Sequence, residues 1–219
     1  MAITSYGDYD SWQKHAIVTI DDGTYKVTLH ALTETIDLDI GERDIDIINL
    51  LSLGQIAKFG AMGMTTLTFE GYALEAGTSE ATGAVATGFF DIFAYKPTRF
   101  LSGSTDTDLG EPQVIPVTNQ INRMRIMILW TNDSACTSAT DVVTNTAGYK
   151  GLRFGIADVI CTGCKQSFTD GVLKTTLTFK GLAFSKNGSA RIQMESGHDA
   201  TPLPAIGGTY TPGEDAPFA

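Results

Sequence analysis

Two nearly identical heptapeptides constrain the fold more than any other feature of the chain. Residues 65–71 read Thr-Thr-Leu-Thr-Phe-Glu-Gly, and residues 175–181 repeat this order with lysine in place of glutamate. A period of two is typical of a β-strand that packs one face and exposes the other to water. Convergence of two amphipathic strands on one easy pattern and a weak internal duplication both remain open as explanations. In either case the repeats predict antiparallel strands with a wet face.

Composition favours a mostly β protein and argues against a surface that holds phosphates. The 219 residues include 23 glycines and many threonines, and they lack long tracts of Ala, Leu, Glu and Lys. The 25 acidic residues exceed the 15 basic ones, so the net charge is −10. Because nucleic-acid binding requires clustered Lys and Arg, a generic nucleic-acid-binding function is disfavoured.

Alternating apolar and polar residues predict a series of short strands and tight turns. The strands are predicted at residues 16–20, 25–32, 33–40, 88–95, 122–131, 152–161, 172–184 and 190–195. Asp22-Gly23 and Asn187-Gly188 are hairpin turn signals. A further turn is predicted from Cys164 to Gly171. Since residues 122–131 become apolar on both faces, this strand is predicted to be central.

The connecting segments are predicted to be irregular, with one exception. Residues 134–147 are expected to form a short helix, because Ser134 or Thr137 can cap its start and Ala147-Gly148 can end it. We divide the chain into an N-terminal arm at 1–14, a single domain at 15–195 and a C-terminal arm at 196–219. Within the domain, the proline-containing segment 96–116 is expected to be a linker excursion on the surface.

The segment from Gly41 to Met64 is too apolar for a free surface loop and too rich in glycine for one helix. Two interpretations remain open at this point. In the first, it is a strand followed by a buried connection. In the second, it is an extended apolar hairpin loop that packs on another subunit.

The potentially reactive residues form no recognisable catalytic or metal-binding constellation. Cys161 and Cys164 have the C-x₂-C spacing, but a structural zinc site needs a second pair of ligands, and a redox motif would open a helix. A coincidental pair in a hairpin is therefore favoured over metal or redox chemistry. No nucleophile, base and orienting group are assembled. We expect no enzymatic activity, no cofactor and no metal.

Targeting signals are not apparent in the sequence. Residues 1–12 are polar and lack the basic and apolar regions of a signal peptide. No apolar run approaches the length of a membrane span, so membrane insertion is not expected. Together with the odd number of cysteines, this favours synthesis in the cytoplasm.

The order of these parts resembles the major tail tube protein of tailed viruses, whose β-fold is shared with the tubes of contractile injection machines. The resemblance covers residues 15–195: a strand Thr-Glu-Thr-Ile-Asp-Leu-Asp-Ile, the long apolar loop, the first repeat, Arg-Met-Arg-Ile-Met-Ile-Leu-Trp, a helical insert, Leu-Arg-Phe-Gly-Ile-Ala-Asp-Val-Ile, and the second repeat. It is a similarity of order and pattern. Segment 96–116 and the proline-rich C-terminus are not part of this pattern.

The resemblance implies an antiparallel β-sandwich or barrel with one short flanking helix, a long hairpin loop and extended terminal arms. It implies rings, commonly of six subunits, that stack into a hollow tube in the virion tail, assembled in the host cytoplasm with other tail proteins. Viral DNA would pass through this tube without specific binding.

Two sets of residues follow from this expectation. The predicted ring-stacking loop contains the apolar residues Ile45, Ile47, Leu50, Leu51, Leu53, Ile56, Phe59 and Met62. The candidate lumen face contains the wet-face residues Asp37, Asp39, Thr66, Thr68, Glu70, Thr176 and Thr178. Arg123, Arg125 and Lys180 are expected to pair with acidic residues across strands.

A β-sandwich binding module that recognises carbohydrate or peptide is the alternative function. It predicts a monomer with exposed aromatic residues near loops, for example from Phe89 to Tyr95.

Overall fold

Antiparallel β-strands make up nearly all regular structure in the part of the chain that the computed structural model describes. This part consists of residues 15–24, 26–29, 35–49, 54–72, 78–79, 93, 122–143, 149–169, 171–197 and 202–218. The strands are β1 His15–Asp21, β2 Lys26–Leu29, β3 Thr35–Asp39, β4 Arg43–Asn49, β5 Gln55–Met62, β6 Met64–Tyr72, β7 Thr78–Ser79, β8 Met124–Thr131, β9 Gly151–Thr169, β10 Val172–Leu182 and β11 Ile192–Gly197. The predicted mostly β class is confirmed.

The strands form one large sheet and one separate hairpin. The order in the nine-stranded sheet is β3-β6-β10-β9-β8-β1-β2-β7, and β11 also pairs with β9. β4 and β5 form a two-stranded sheet of their own. The predicted hairpin turns at Gly23 and Gly188 are present, and both glycines have positive φ (92° and 83°), a conformation that glycine adopts without steric cost.

The two copies of the repeated heptapeptide lie side by side as β6 and β10. Leu67 is opposite Phe179 and Phe69 is opposite Leu177, so the two copies pair antiparallel around a central pair, Thr68 and Thr178. The Phe69 and Phe179 rings stack with their centroids 5.1 Å apart. All four leucine and phenylalanine side chains are fully buried. The apolar faces of the repeats therefore form one wall of the core.

β9 joins two halves of the large sheet, because its 19 residues pair with different strands along its length. Residues 151–159 pair with β8, and residues 160–169 pair with β10. Asp158 has a positive φ of 56°, and the β9–β10 register shifts at Thr162, between Cys161 and Gly163. Such irregularities increase the bend and twist of a strand. The predicted turn from Cys164 to Gly171 is wrong, since β9 continues to Thr169 and the turn itself lies at Gly171.

Two hydrophobic clusters lie on opposite faces of β8. Ile126 and Ile128 join the main core, which also contains Phe154 of β9 and the repeat residues of β6 and β10. Met127 and Leu129 point the other way, into a second cluster with Leu203 and other residues. β8 lies between β1 and β9, so the predicted central position of this strand is confirmed.

The predicted flanking helix is absent from residues 134–143, which form turns. Side chains bind the backbone donors that a helix would use: Asp141 accepts the N–H groups of Thr137 and Ser138 at 2.7 and 2.9 Å. The Ala139 N–H donates to Thr19 Oγ1 at 2.9 Å. Polar side chains that satisfy the backbone in this way compete with helix formation. Residues 144–147 lie outside the described part of the chain.

Helical conformation occurs in the described residues at Phe93. This position belongs to the stretch 88–95 that the sequence predicts to be a strand, so that prediction is wrong at Phe93, where the side chain packs against the main core. The other residues of the stretch are outside the described part, as are the arm at 1–14 and the segment 96–116. No helix within the described ranges is both long enough and apolar enough to cross a bilayer.

The C-terminal segment, residues 202–218, is irregular and packs on the outer face of the large sheet. Leu203 and Ile206 are buried in the second cluster, and Tyr210 is buried beneath Arg125, whose guanidinium carbon lies 5.4 Å from the ring centroid. The Tyr210 hydroxyl donates to Asp158 at 2.7 Å. Burial is the main cause that raises the pKa of Tyr210 above its ordinary value, and the bond to Asp158 adds to the rise.

Three buried arginines hold the C-terminal segment through its backbone carbonyls. They are Arg125, Arg153 and Arg191, each at most 3% exposed. The carbonyl acceptors are Pro217 and Gly208 for Arg125 (2.6 and 3.2 Å), Pro204 for Arg153 (2.6 Å) and Glu214 for Arg191. Because main-chain carbonyls are the acceptors, the alternating pattern of the sequence contains no sign of these contacts.

Each of the three arginines also forms an ion pair. Arg125 binds Asp21 at 2.6 Å, Arg153 binds Glu195 at 2.8 Å, and Arg191 binds Asp158 at 2.9 Å. Asp21 faces Arg125 directly across β1 and β8, which confirms the predicted cross-strand partner for this arginine. Lys180 lies opposite Thr66 rather than an acidic residue, and Arg123 is exposed.

Replacing Arg125 by methionine is expected to lower the free energy of unfolding by about 3–5 kcal/mol, because the carboxylate of Asp21 stays buried without its partner. Denaturant unfolding of the purified protein measures this loss. Arg123→Met, two residues away and exposed, is the matched control and should change stability by less than about 0.5 kcal/mol. Equal effects of the two substitutions would contradict the assignment.

Candidate assembly surfaces

The apolar hairpin, residues 43–62 of β4 and β5, continues directly from β3 and β6. At its base the Gly63 N–H donates to the Glu42 carbonyl at 2.9 Å, and the Gly41 N–H donates to Asp39 Oδ1 at 2.8 Å. Gly41 has a φ of 81°, and a Cβ there would lie 2.8 Å from the Met64 carbonyl oxygen. The chain therefore leaves the large sheet through a narrow glycine-containing base.

Apolar side chains on this hairpin are exposed on both of its faces. Ile45 opposes Phe59 on one face, and Ile48 opposes Ile56 on the other. The exposed fractions are 57% for Ile45, 64% for Ile47, 48% for Ile48, 51% for Ile56 and 61% for Phe59. The interpretation of this segment as a buried connection does not hold for the described residues. Its geometry is that of an extended hairpin.

Of the other predicted members of the ring-stacking loop, one lies in the described part of the chain and three lie outside it. Met62 is half-buried near the base of the hairpin. Leu50, Leu51 and Leu53 lie outside the described part of the chain. Ile48 was not among the predicted residues, although its position opposite Ile56 places it on the same hairpin.

A continuous polar face runs across β3, β6 and β10. Asp37 pairs with Thr68, which pairs with Thr178, and the neighbouring rows place Asp39 beside Thr66 and Glu70 beside Thr176. We name this the threonine face: Asp37, Asp39, Thr66, Thr68, Glu70, Thr176 and Thr178. All seven are on the side opposite the buried Leu67, Phe69, Leu177 and Phe179. The structure thus brings the seven candidate lumen residues together in one patch.

The threonine face has few free charges at its centre. The four threonines are half-buried, whereas Asp37 and Asp39 are exposed at one side. Glu70 lies 3.7 Å from the ammonium group of Lys174, a pair that is partly exposed. Such a pair contributes little to stability in water, but it offsets the charge of Glu70. The same face also carries Lys180, opposite Thr66, and Lys165, opposite Thr176. The patch is therefore hydroxyl-rich and contains both acidic and basic side chains.

Exposed apolar side chains also occur outside the hairpin. The most exposed are Phe168 (74%), Met194 (60%), Leu182 (59%) and Met64 (54%). Leu182 and Met64 are directly paired at the base of the apolar hairpin. Phe168 lies at the far end of β9, near the turn at Gly171.

The cysteines are free thiols in environments that keep them protonated. Burial raises the pKa of Cys161 to about 12 and that of Cys136 to about 11, and burial also raises the pKa of Cys164. Because Thr162 forms the bulge, Cys161 and Cys164 both contact the main core. Among the described residues, no group of three or more His, Cys, Asp or Glu side chains is placed to hold a metal ion.

At pH 8 the folded protein is expected to react slowly with a thiol reagent such as Ellman's reagent. A pKa of about 12 leaves about one thiolate in 10⁴ at Cys161, whereas unfolding in guanidinium returns all three thiols to ordinary reactivity. The rate of colour development in the two states measures the difference. Fast reaction of Cys161 in the native state, assigned by peptide mapping, would contradict its buried placement.

Comparison with known proteins gives weak matches to tube assemblies. No family model matches the chain, and no curated protein matches it. The chain is similar to a solved sheath/tube terminator of an extracellular contractile injection system, PVC, at 13% identity and a TM-score of 0.46, over 83% of this chain and 94% of the other. It is also similar to the PVC sheath–tube complex (13%, 0.45, 89% and 100%) and to a crystal structure of an Hcp protein (7%, 0.33, 82% and 98%). At these values the similarity is weak.

Proposed function

We propose that the protein is a non-enzymatic virion structural protein that polymerises into the hollow tail tube of a tailed virus. Rings of six subunits stack on one another, and viral DNA passes through the tube into the host. The exposed apolar hairpin carries this proposal. Five isoleucine and phenylalanine side chains of this hairpin are about half or more exposed, and monomeric proteins rarely expose contiguous apolar surface of this kind.

The exposed apolar side chains of the hairpin favour association with a partner over a monomer in solution. Burial of one such side chain contributes about 1.5–3 kcal/mol relative to its exposed state. Since the hairpin is apolar on both faces, a partner has to enclose it rather than cover one side. A second copy of the chain fits this requirement, because head-to-tail contacts between identical subunits close into rings or extend as stacks.

The threonine face supports the assignment of a lumen wall. Three carboxylates (Asp37, Asp39 and Glu70) share this face with three lysines (Lys165, Lys174 and Lys180), so the face has no excess of positive charge that would hold phosphates. DNA can therefore move along such a wall without being held. In this proposal the face, with Thr68 and Thr178 at its centre, is turned inward in each ring.

The proposed function also specifies the partners of the protein and its location. It contacts itself within and between rings, and other tail proteins bind at the ends of the tube. The N-terminal arm contributes to contacts between rings, whereas residues 202–218 are held on their own subunit by Arg125, Arg153 and Arg191. The protein is located in the virion tail after assembly in the host cytoplasm, and it does not insert into membranes.

Substitution of Phe59 by aspartate is expected to prevent stacking while leaving the subunit folded. Phe59 is 61% exposed, so the charge is harmless in the monomer but costly when it is buried between subunits. Sedimentation velocity and negative-stain microscopy over a concentration series measure assembly, and circular dichroism verifies the fold. Met194→Asp, at an equally exposed apolar residue on β11, is the matched control and should assemble like the wild type.

Two results would contradict the proposed role of the hairpin or the proposed function. Stacks of normal length from Phe59→Asp would contradict the role of the hairpin. A wild-type protein that remains monomeric at every concentration would favour the binding module for carbohydrate or peptide instead, and a glycan or peptide array would then identify its ligand.

A further inference from the structure

The threonine face belongs to a part of the large sheet that has an open strand edge on each side. The strand order in this part is β3-β6-β10-β9, and residues 160–169 of β9 form its last strand. Among the described strands, β3 pairs with β6 alone. On the other side, β8 follows β9 as far as Val159, and no described strand continues along residues 160–169. Within the described residues, both edges therefore present backbone N–H and C=O groups to a possible further strand.

The two open edges run in opposite directions. The pairs β3 with β6, β6 with β10 and β10 with β9 are all antiparallel, so three successive reversals leave β3 antiparallel to β9. In the proposed ring, rotation about an axis that lies roughly along the strands moves one copy onto the next without reversing its strands. The β9 edge of one copy would therefore meet the β3 edge of the next copy as an antiparallel pair.

The charges on the threonine face differ between the two edges. β3 carries two exposed carboxylates, Asp37 and Asp39, and no basic residue. Residues 159–169 of β9 carry Lys165 and no carboxylate. On β10, Lys174 is already paired with Glu70, whereas Lys165 is exposed and forms no ion pair with another described residue. The β3 edge of one copy is thus complementary in charge to the β9 edge of another copy.

The alternation of both strands restricts the registers in which these edges can join. Lys165 shares the threonine face with Asp37 and Asp39, whereas Leu38 and Cys164 lie on the other face and pack against the main core. A shift of one residue would place Lys165 on the side of Leu38, so it is disfavoured. In the favoured registers Lys165 is opposite one aspartate and diagonal to the other, where opposite charges attract.

We propose that β3 of one copy pairs with residues 160–169 of β9 in the next copy, and that Lys165 lies beside Asp37 and Asp39 across this joint. This inference rests on the proposed function and names the contact within a ring, whereas the apolar hairpin makes the contact between rings. Because both edges turn the threonine face to the same side, the faces of neighbouring copies form one continuous surface around the channel.

Reversal of charge on either side of the joint tests the pairing. Lys165→Glu brings like charges together, and so does the double change Asp37→Lys with Asp39→Asn. Asparagine retains the oxygen that accepts the Gly41 N–H. Each variant alone is expected to need an about tenfold higher protein concentration to form rings at low salt, with a smaller effect at high salt because exposed charges are screened. Sedimentation velocity measures this concentration.

An equimolar mixture of the two full-length variants is expected to recover ring formation. The changed β9 edge of Lys165→Glu then meets the changed β3 edge of the other variant, and the two unchanged edges meet as in the wild type. Recovered rings should contain the two variants in equal numbers. Native mass spectrometry measures this composition when one variant is labelled with a heavy nitrogen isotope.

Two further measurements separate the joint from general effects of charge and folding. Lys186→Glu, at an exposed lysine in the turn before Asn187, is the control for net charge and should form rings as the wild type does. Circular dichroism verifies the fold of each variant. In the wild type, hydrogen exchange is expected to slow within residues 35–39 and 160–169 when rings form, because the edge amides gain partners.

The failures of this inference and of the proposed function can be distinguished. If the wild type forms rings and both charge variants form them equally well, or if the mixture does not recover what each variant loses, the joint is wrong while the proposed function stands. If wild-type rings form with the protected edges but never stack, the joint stands and the proposed tube is wrong. A wild type that remains monomeric at every concentration would refute both.

Discussion

The antiparallel pairing of Leu67 and Phe69 with Phe179 and Leu177 is the interaction on which the rest of the structure depends. These side chains fill the core only if β6 and β10 turn the same face inward, and a shift of one residue would reverse every side chain on either strand. Once this register is set, Thr66, Thr68, Thr176 and Thr178 face away from the core. This wall of the core and the threonine face are thus consequences of one register.

The buried arginines and the exposed carboxylates have different roles in the fold. Arg125, Arg153 and Arg191 are buried, each with a carboxylate and with carbonyls of the C-terminal segment. They fasten an irregular segment to a sheet that would otherwise expose its second apolar cluster. Other carboxylates, such as Asp44 and Asp46, are exposed beside the isoleucines of the apolar hairpin. The buried ion pairs and the exposed charges are therefore formed by separate residues.

Much of this architecture follows from periodicity, and the remainder depends on contacts that periodicity does not encode. Alternation identified β1, β3, β6, β8 and β10, and it separated the threonine face from the core residues. It did not identify the second half of β9, because Lys165, Gln166 and Ser167 are held by backbone pairing with β10 rather than by apolar alternation. The helix predicted at residues 134–147 failed in residues 134–143, since Asp141 and Thr19 bind the backbone donors. The packing of the C-terminal segment could not be predicted from the sequence. Its main-chain carbonyls, which every residue possesses, make the contacts with the arginines.

We propose that the hairpin and the threonine face serve the assembly of the chain with further copies of itself. Electron microscopy of the purified protein across a concentration series, with helical reconstruction of any polymer, tests it most directly. The account predicts hollow tubes in which Ile45, Ile47 and Phe59 are buried between rings and Thr68 and Thr178 line the channel. A monomer at every concentration up to the solubility limit, or a polymer whose hairpins remain in solvent, would contradict it.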